Sequence, residues 1–586
     1  MKSNKGPYIL GAAMALVCIY ISNGQAAPWR ILLMSGFGVY LIVSVFRYIN
    51  EVEKWKALSG SSVYTIGYDA LPVDRLLIGR GFMWMPEHAS RVSQHMTDKK
   101  LLEEGEALGG LSFIHGVGIN DETDVHVPLE DLVGHMVVIG TTRVGKTRGY
   151  EVTVAQAIKR GEVAIVFDPK GDEELLNRTV EVCRRYGREK DFVFFALPYP
   201  KFSYHYNPLR NFTIPNEIPD RVAMLLPAGG DSESFRSFAW QVISVITNAL
   251  LYLNKRPNIR MLSDYSLAKT EDLFKLCVKE ALFKAGKMYK DTLEELEINN
   301  ADVEEYKRLY VKTAEIHHKA IDDLLVLIKH PKEHFQKMTA SLTPLLSKLS
   351  TGEVGTLLSE PGGSGDIDWE RVVKNNKVVY MYFGSLLMRD TSRAVTRMAM
   401  QDLISFVGSR YAYLFDKRPI NVFIDEFTEV VDNSFINFLN KAGGAGVRVI
   451  LASQSVADLE AELRASAKAQ QIFDNLNTKL WLRISDLATA QVFSDAVGDA
   501  PMGGAVSAQG FSVTPEVSDN DIVYKSSYSY NTSKKPSPLV DPSWLLKLPK
   551  GQGFLLSRGR VYKVRIPLLP PCGTDYLREI GVKSVK

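Results

Sequence analysis

The stretch Met136-Val-Val-Ile-Gly140-Thr-Thr-Arg-Val-Gly-Lys-Thr147 sets the fold class. Four apolar residues, Met136–Ile139, form a short strand. The next eight match the pattern GxxxxGK[ST], and residues from about Thr147 to Lys159 suit a helix. Strand, loop and helix in that order let backbone N–H groups and a helix N-terminus cradle phosphates. Gly140, Thr141, Thr142, Arg143, Val144, Gly145, Lys146 and Thr147 are therefore candidate nucleotide-binding residues. Lys146 is placed to reach the β and γ phosphates and the Thr147 hydroxyl to ligate Mg²⁺, so ATP and Mg²⁺ are the implied cofactors. A glycine-rich turn without function would not require the Lys-Thr pair or the preceding strand.

Working outward, apolar runs recur at Val163–Phe167, Phe192–Phe195, Val378–Phe383, Asn421–Ile424, Val447–Ala452 and Lys479–Ile484. Short apolar runs separated by helical stretches predict an α/β fold with a parallel sheet covered on both faces. The rhythm stops between about Asp220 and Leu358. There Phe238–Leu253, Thr270–Lys287, Asp302–Ile328 and His334–Leu349 read as helices of an all-α insertion. Residues 51–130 are mixed, with a short helical stretch around Met96–Glu106. The Gly/Ser/Asn-rich segment from about Asp499 to Lys535 reads as loops. A last hairpin, Gly553–Ser557 and Val561–Ile566, closes the fold. The expected division is an anchor at 1–50, a nucleotide-binding domain at 51–219, an all-α domain at 220–360, and the rest of the nucleotide-binding domain at 361–586.

Two strands end in aspartate. Val163-Ala-Ile-Val-Phe-Asp168 leads into Pro-Lys-Gly-Asp172, and Asn421-Val-Phe-Ile-Asp425 leads into Glu426. Only the second supplies paired carboxylates, so Asp425 is assigned to the Mg²⁺ shell and Glu426 to polarising the attacking water. Asp168 is read as a loop residue supporting the site. Gln454, ending the strand Val449-Ile-Leu-Ala-Ser-Gln454, is the candidate γ-phosphate sensor that signals to a neighbouring subunit. The catalytic set is Lys146, Asp425, Glu426 and Gln454, and the metal-binding set is Thr147 and Asp425.

The N-terminus carries two apolar runs, Tyr8–Ser22 and about Ile31–Ile49, joined by the turn Asn23-Gly-Gln-Ala-Ala-Pro28. Each is slightly short of the ~20 residues that span a bilayer and must use its flanks. Lys2, Lys5, Arg47, Lys54 and Lys56 flank the outer ends and only Arg30 the connector, so the positive-inside rule places both termini in the cytoplasm. A secretory signal peptide is the rival reading. It would export a nucleotide-binding protein away from ATP, and it leaves the second run unexplained.

Across its 586 residues the chain carries a formal charge of +3. That is too little to imply a nucleic-acid partner by itself, so any DNA contact must come from a local surface. Candidate basic stretches are Arg184-Arg185 with Arg188 and Lys190, and His317-His318-Lys319, each interspersed with acids. Four distant cysteines give neither a disulfide framework nor a zinc site.

Taken in order, the hairpin, Gly140–Thr147, Phe167-Asp-Pro-Lys-Gly-Asp172, Tyr206-Asn-Pro-Leu209, the helical insert, Ile424-Asp-Glu-Phe427 and Ala452-Ser-Gln-Ser455 resemble the TraD/TraG-type coupling proteins of type IV secretion and conjugation, with closest likeness to TraD of integrating conjugative elements. The resemblance implies a RecA-like P-loop ATPase domain with an all-α insertion domain and a two-helix transmembrane anchor. It implies a homohexamer at the bacterial inner membrane that recruits relaxase-bound DNA, the relaxosome, and pumps it into the secretion channel. Three departures stand out. Arg143-Val144 replaces small residues within the variable part of the loop. The trans-acting arginine of relatives has only Lys441 and Arg448 as candidates here, and the long acidic tail of some relatives is not expected. The alternatives are an effector-protein receptor using nucleotide mainly for ring assembly, and a chromosome-type DNA translocase, which calls for a C-terminal winged helix.

Overall fold

The computed structural model describes residues 64–582, apart from 108, 228–231, 287–288, 300, 360–364, 414–417, 504–507, 519–520 and 532–533, together with scattered positions between 36 and 49. The first apolar run and most of the second lie outside the described residues. The strands are β1 (Arg75–Met83), β2 (Thr123–Pro128), β3 (Met136–Ile139), β4 (Val163–Asp168), β5 (Phe192–Ala196), β6 (Val378–Tyr382), β7 (Ile420–Ile424), β8 (Val447–Ser453), β9 (Thr478–Trp481), β10 (Asp499–Gly503), β11 (Ala508–Ser518), β12 (Asp521–Asn531), β13 (Lys534–Pro538), β14 (Gln552–Ser557) and β15 (Arg560–Arg565). Eleven form one sheet in the order β2-β1-β15-β14-β9-β3-β8-β7-β4-β6-β5.

The half from β9 to β5 is parallel, and β3, β4, β6 and β7 are buried along their whole length. Burial on both faces explains why these strands read as continuous apolar runs. The other half is antiparallel, so the sheet is mixed, not wholly parallel as expected. Its β1 and β2 come from the segment that reads as irregular. The sequence Arg75-Leu-Leu-Ile-Gly-Arg-Gly-Phe-Met83 hides a strand because two glycines interrupt it. They are needed there: a Cβ at Gly79 would sit 2.1 Å from the Arg565 carbonyl oxygen, and one at Gly81 2.0 Å from that of Lys563. Glycine inside a strand marks such close backbone approach.

A second correction concerns the described residues of 499–535, which form strands and not loops. β10 pairs with β13, and β11 pairs with β12 with Phe511 opposite Tyr528 and Pro515 opposite Tyr524. Serine is the commonest residue there, but Phe511, Val513 and Val517, then Ile522, Tyr524, Tyr528 and Tyr530, keep strand alternation.

Helices α1 (Lys146–Lys159) and α2 (Glu173–Arg185) follow β3 and β4. Between β5 and β6 the described chain is helical, including α3 (Glu217–Ala223) and α4 (Ser232–Tyr252), and ends with α5 (Trp369–Lys374) before β6; α6 (Arg389–Tyr413) leads towards β7. The stretch Asp302–Ile328 is two helices, broken by a 3-10 turn at Ala314–Ile316. Tyr310 stitches the break: its hydroxyl accepts from His318 N at 3.0 Å and donates to Asp322 at 2.9 Å, while the His317 ring meets its carbonyl. Both histidines are thus structural.

Asp402 of α6 ties this helical region to the sheet. Fully buried, it accepts from Tyr206 Oη at 2.7 Å, Trp369 Nε1 at 2.6 Å, Arg221 Nη1 at 3.0 Å and Asn211 Nδ2 at 3.2 Å. Tyr206 belongs to the Tyr-Asn-Pro-Leu segment, which therefore has a packing role at this junction. Breaking such a buried pair costs about 3–5 kcal/mol.

Candidate nucleotide site

The site lies at the carboxyl ends of the parallel strands. Gly140 N donates to Ser453 O of β8, and Thr141 N to Arg483 O beyond β9, which fixes the loop between its two neighbours. Gly145, the last residue before α1, has φ 105°, a left-handed conformation that glycine adopts without strain. Arg143 also has positive φ, 62°, with its side chain exposed, whereas Val144 is fully buried and its carbonyl accepts from Gly551 N at 2.7 Å. The unusual Arg143-Val144 pair thus divides into a turn residue facing out and an apolar residue anchoring the loop.

Lys146 opens α1 and is 8% exposed. Its Nζ donates to Glu426 Oε1 at 2.9 Å, and Gln454 Nε2 donates to the same oxygen at 3.0 Å. Three predicted residues from three elements, separated by up to hundreds of positions, thus meet at one atom. Glu426 reaches them because it turns out of β7 with φ 45°. Asp425, just before it, is 8% exposed, and among the described residues its carboxylate accepts no hydrogen bond. Burial pushes its pKa up to about 7 against the pull of Lys146.

Asp168 is more deeply buried and has donors on both oxygens. Gly171 N donates to it at 2.7 Å, Asp172 N at 2.6 Å and Tyr380 Oη at 2.7 Å. It holds the Pro169–Asp172 turn, and burial raises its pKa to about 6 against those three donors. The turn presents Asp172, which caps α2 through Glu174 N and Leu175 N and accepts from Thr147 Oγ1 at 3.5 Å. Asp172 was not foreseen as a site residue. An aspartate ahead of Glu-Glu-Leu-Leu is a helix N-cap signal, and that signal could have found it.

The cleft around the loop has a volume of about 720 Å³. Its far wall is also unforeseen: Tyr64, Lys550, Gly551, Gln552, Arg565 and Leu568 face the loop from both ends of the described chain. Nothing local in the sequence signals this, because β15 reaches the site only by pairing with β1 and β14. Arg565 is held by Glu122 at 2.6 Å. Arg448 and Lys441, the candidates for a trans-acting cation, are not brought to the loop. Arg448 stands at the opposite end of β8, about 17 Å from its loop-facing end at ~3.3 Å per residue, and pairs with Glu162 at 2.8 Å. Lys441 lies in the last turn of the helix Asn433–Ala442 that precedes β8.

The residues fit a magnesium nucleotide. A loop of N–H donors and a lysine can meet phosphate oxygens, while Thr147, Asp172 and the unengaged carboxylate of Asp425 offer the oxygen ligands that Mg²⁺ requires. Among the described residues no cluster of three or more His, Cys, Asp or Glu is arranged as an all-protein metal cage. Mg²⁺ held beside substrate phosphates needs none.

Comparison with known proteins agrees with this arrangement. Residues 123–292 match the type IV secretion-system coupling protein DNA-binding domain, and residues 419–550 match the TraM recognition site of TraD and TraG. The bacterial conjugative coupling protein TrwBdeltaN70 in its unbound monoclinic form has a similar fold, at 17% identity over 76% of this chain and 88% of that one, with a TM-score of 0.50. Its trigonal form in complex with sulphate gives 0.51, at 17% identity over 75% and 87%. The plasmid coupling protein TrwB in complex with the non-hydrolysable ATP analogue ADPNP gives 0.50, at 16% identity over 76% and 87%. No curated protein matches the chain in sequence. With both family domains placed in order around the loop and helical region described above, the chain belongs to the TraD/TraG-type coupling proteins of type IV secretion.

Proposed function

We propose that this coupling protein is a membrane-anchored ATPase that recruits relaxase-bound DNA and pumps it into a type IV secretion channel. The observation that carries the reading is the convergence of Lys146, Glu426 and Gln454 on one carboxylate oxygen, beside the buried, unengaged Asp425. Lys146 and the loop N–H groups bind the phosphates. Thr147 and Asp425 hold Mg²⁺, which when bound neutralises charge on the β and γ phosphates. Glu426 orients and polarises the attacking water, and its hydrogen bond from Gln454 links that carboxylate to β8. Gln454 thereby reports the state of the site to the adjoining subunit of a homohexameric ring.

The anchor is the two-helix hairpin of residues 1–50 in the bacterial inner membrane, with both ends cytoplasmic. In its second run the described residues Val43, Val45, Phe46 and Ile49 are helical and exposed, which suits lipid better than water. Among the described residues no helix is long and apolar enough to cross a membrane.

The test is hydrolysis by the full chain in nanodiscs with and without DNA. DNA is expected to stimulate turnover in the native chain and not in Glu426→Gln. Absence of stimulation in the native chain would sink the pump reading.

A further inference from the structure

The arginines of the basic stretches singled out in the sequence are engaged within the fold. Arg184 pairs with Glu579 and Glu189, Arg185 with Asp69, and Arg188 is buried against backbone carbonyls. A different set of cations stands unpaired. An open cleft of about 960 Å³ lies where the helical region meets the sheet, far from the nucleotide loop. One wall is the end of α4. Asn254 takes a left-handed turn with φ 55°, and Lys255 N bonds back to Leu250 O, so the chain stops coiling and puts Lys255 and Arg256 at the surface. The other wall is α5. Its Trp369, Val372 and Val373 are buried, and Arg371 and Lys374, three residues apart, share the exposed face.

Lys255, Arg256, Arg371 and Lys374 are all exposed, and among the described residues none forms an ion pair. Of the two acids in the cleft, Asp368 is already occupied, capping α5 through Arg371 N and pairing with Arg210 at 3.1 Å. Only Glu370 opposes the four cations. Part-buried Phe212 offers an aromatic surface in the same cleft. Four like charges facing one another across an opening repel unless an anion lies between them. Cations on two walls with an aromatic ring in the same cleft are what a flexible polyanion with stackable bases requires. An acidic peptide would gain nothing specific from the ring.

We propose that this cleft binds the phosphate backbone of single-stranded DNA, with Lys255 and Arg256 on one side and Arg371 and Lys374 on the other. The inference rests on the DNA-transport reading above and gives it a location. It also gives it a consequence, because the strand would bridge α4 to α5, beside the Asp402 junction that joins the helical region to the sheet.

The experiment is fluorescence anisotropy of labelled oligothymidine with the full chain in nanodiscs, over a salt series. The paired variants are Lys255→Gln with Arg256→Gln and Arg371→Gln with Lys374→Gln, with Lys312→Gln as an exposed control elsewhere. Each pair is expected to weaken binding about tenfold at low salt and to flatten the log–log salt slope by about 1.4, the value for two phosphate contacts on a single strand. Binding of a fluorescent ADP and the melting temperature should stay as in the native chain, since all four side chains are exposed. If the native chain binds DNA and the variants bind it equally, the cleft assignment is overturned while DNA transport stands. If the native chain binds no DNA, both fall. If the variants lose binding of a polyglutamate peptide but keep DNA, the cleft belongs to an acidic protein partner and the proposal is wrong.

Discussion

Strands β4 and β7 lie side by side, and each ends in a buried aspartate at the same edge of the sheet. The two ends are put to opposite uses. Asp168 accepts from three donors and builds the turn that carries Asp172 to Thr147. Asp425 is left without donors, close enough to Lys146 for that ammonium to pull its pKa down and to Glu426 for that carboxylate to push it up. Burial raises both pKa values, to about 6 and about 7, so desolvation does not distinguish them. What differs is hydrogen-bond satisfaction. A buried carboxylate with donors on both oxygens is structure, and one held ready without partners is chemistry.

The sharpest way to break that contrast is through turnover. Glu426→Gln keeps the size of the side chain but removes the base, and is expected to lower steady-state ATP hydrolysis about 100-fold or more, the usual reach of general-base catalysis. Asp425→Asn should fall by a similar factor, with the apparent Mg²⁺ requirement shifted to higher concentration, because it weakens the metal site. A fluorescent ADP should still bind Glu426→Gln. If Asp168→Asn proved as damaging to turnover as Glu426→Gln while leaving stability untouched, the roles of the two strands would have to be exchanged.

Stability separates the pair in the opposite sense. In Asp168→Asn one acceptor oxygen becomes an NH₂ group facing an N–H donor, and a buried donor left without an acceptor costs about 1–3 kcal/mol. Asp425→Asn removes a desolvated charge that nothing satisfies, and should stabilise the metal-free protein. The pH dependence follows from the raised pKa. A carboxyl near 7 in the fold and near its ordinary acid value when unfolded holds its proton better in the fold. Between about pH 4 and pH 7 the native protein therefore loses stability as pH rises, and the penalty is complete above about 7. Melting of Asp425→Asn and native protein should coincide near pH 4 and diverge, the variant higher, by pH 8. A constant gap across that range would show that Asp425 is not desolvated as described.

Much of this was legible in the sequence because the parallel strands are buried on both faces and announce themselves as apolar runs. The loop, its lysine and the Asp-Glu pair follow from chemistry that tolerates few residue types. What stayed hidden depends on pairing between distant segments. β1 is masked by Gly79 and Gly81, which exist for the sake of β15, and the far wall of the nucleotide cleft is assembled from Tyr64 and Lys550–Leu568 only once that antiparallel half forms. β11 and β12 are masked by their serines, although their alternation is present. Asp168 and Asp425 are alike to the eye in sequence. Only the paired Glu426 separated their roles there, whereas in the structure their donors separate them.

The smallest expected effect tests the opposite end of the sheet. Arg448 is the candidate trans-acting cation named from its position ahead of the sensor strand, yet it pairs with Glu162 at the edge where β8 begins. Glu162 is not left alone when Arg448 is removed, since Arg160 Nε lies 2.8 Å and Asn421 Nδ2 3.1 Å from its other oxygen. Arg448→Ala should therefore cost about 1–3 kcal/mol in stability and leave hydrolysis within about twofold of native, well below the factor that loss of a transition-state arginine brings. A collapse of hydrolysis with the melting temperature intact would mean that Arg448 reaches a neighbouring subunit's phosphates in the ring. The edge of the sheet remote from the loop would then belong to the active site as much as the edge that carries Asp425.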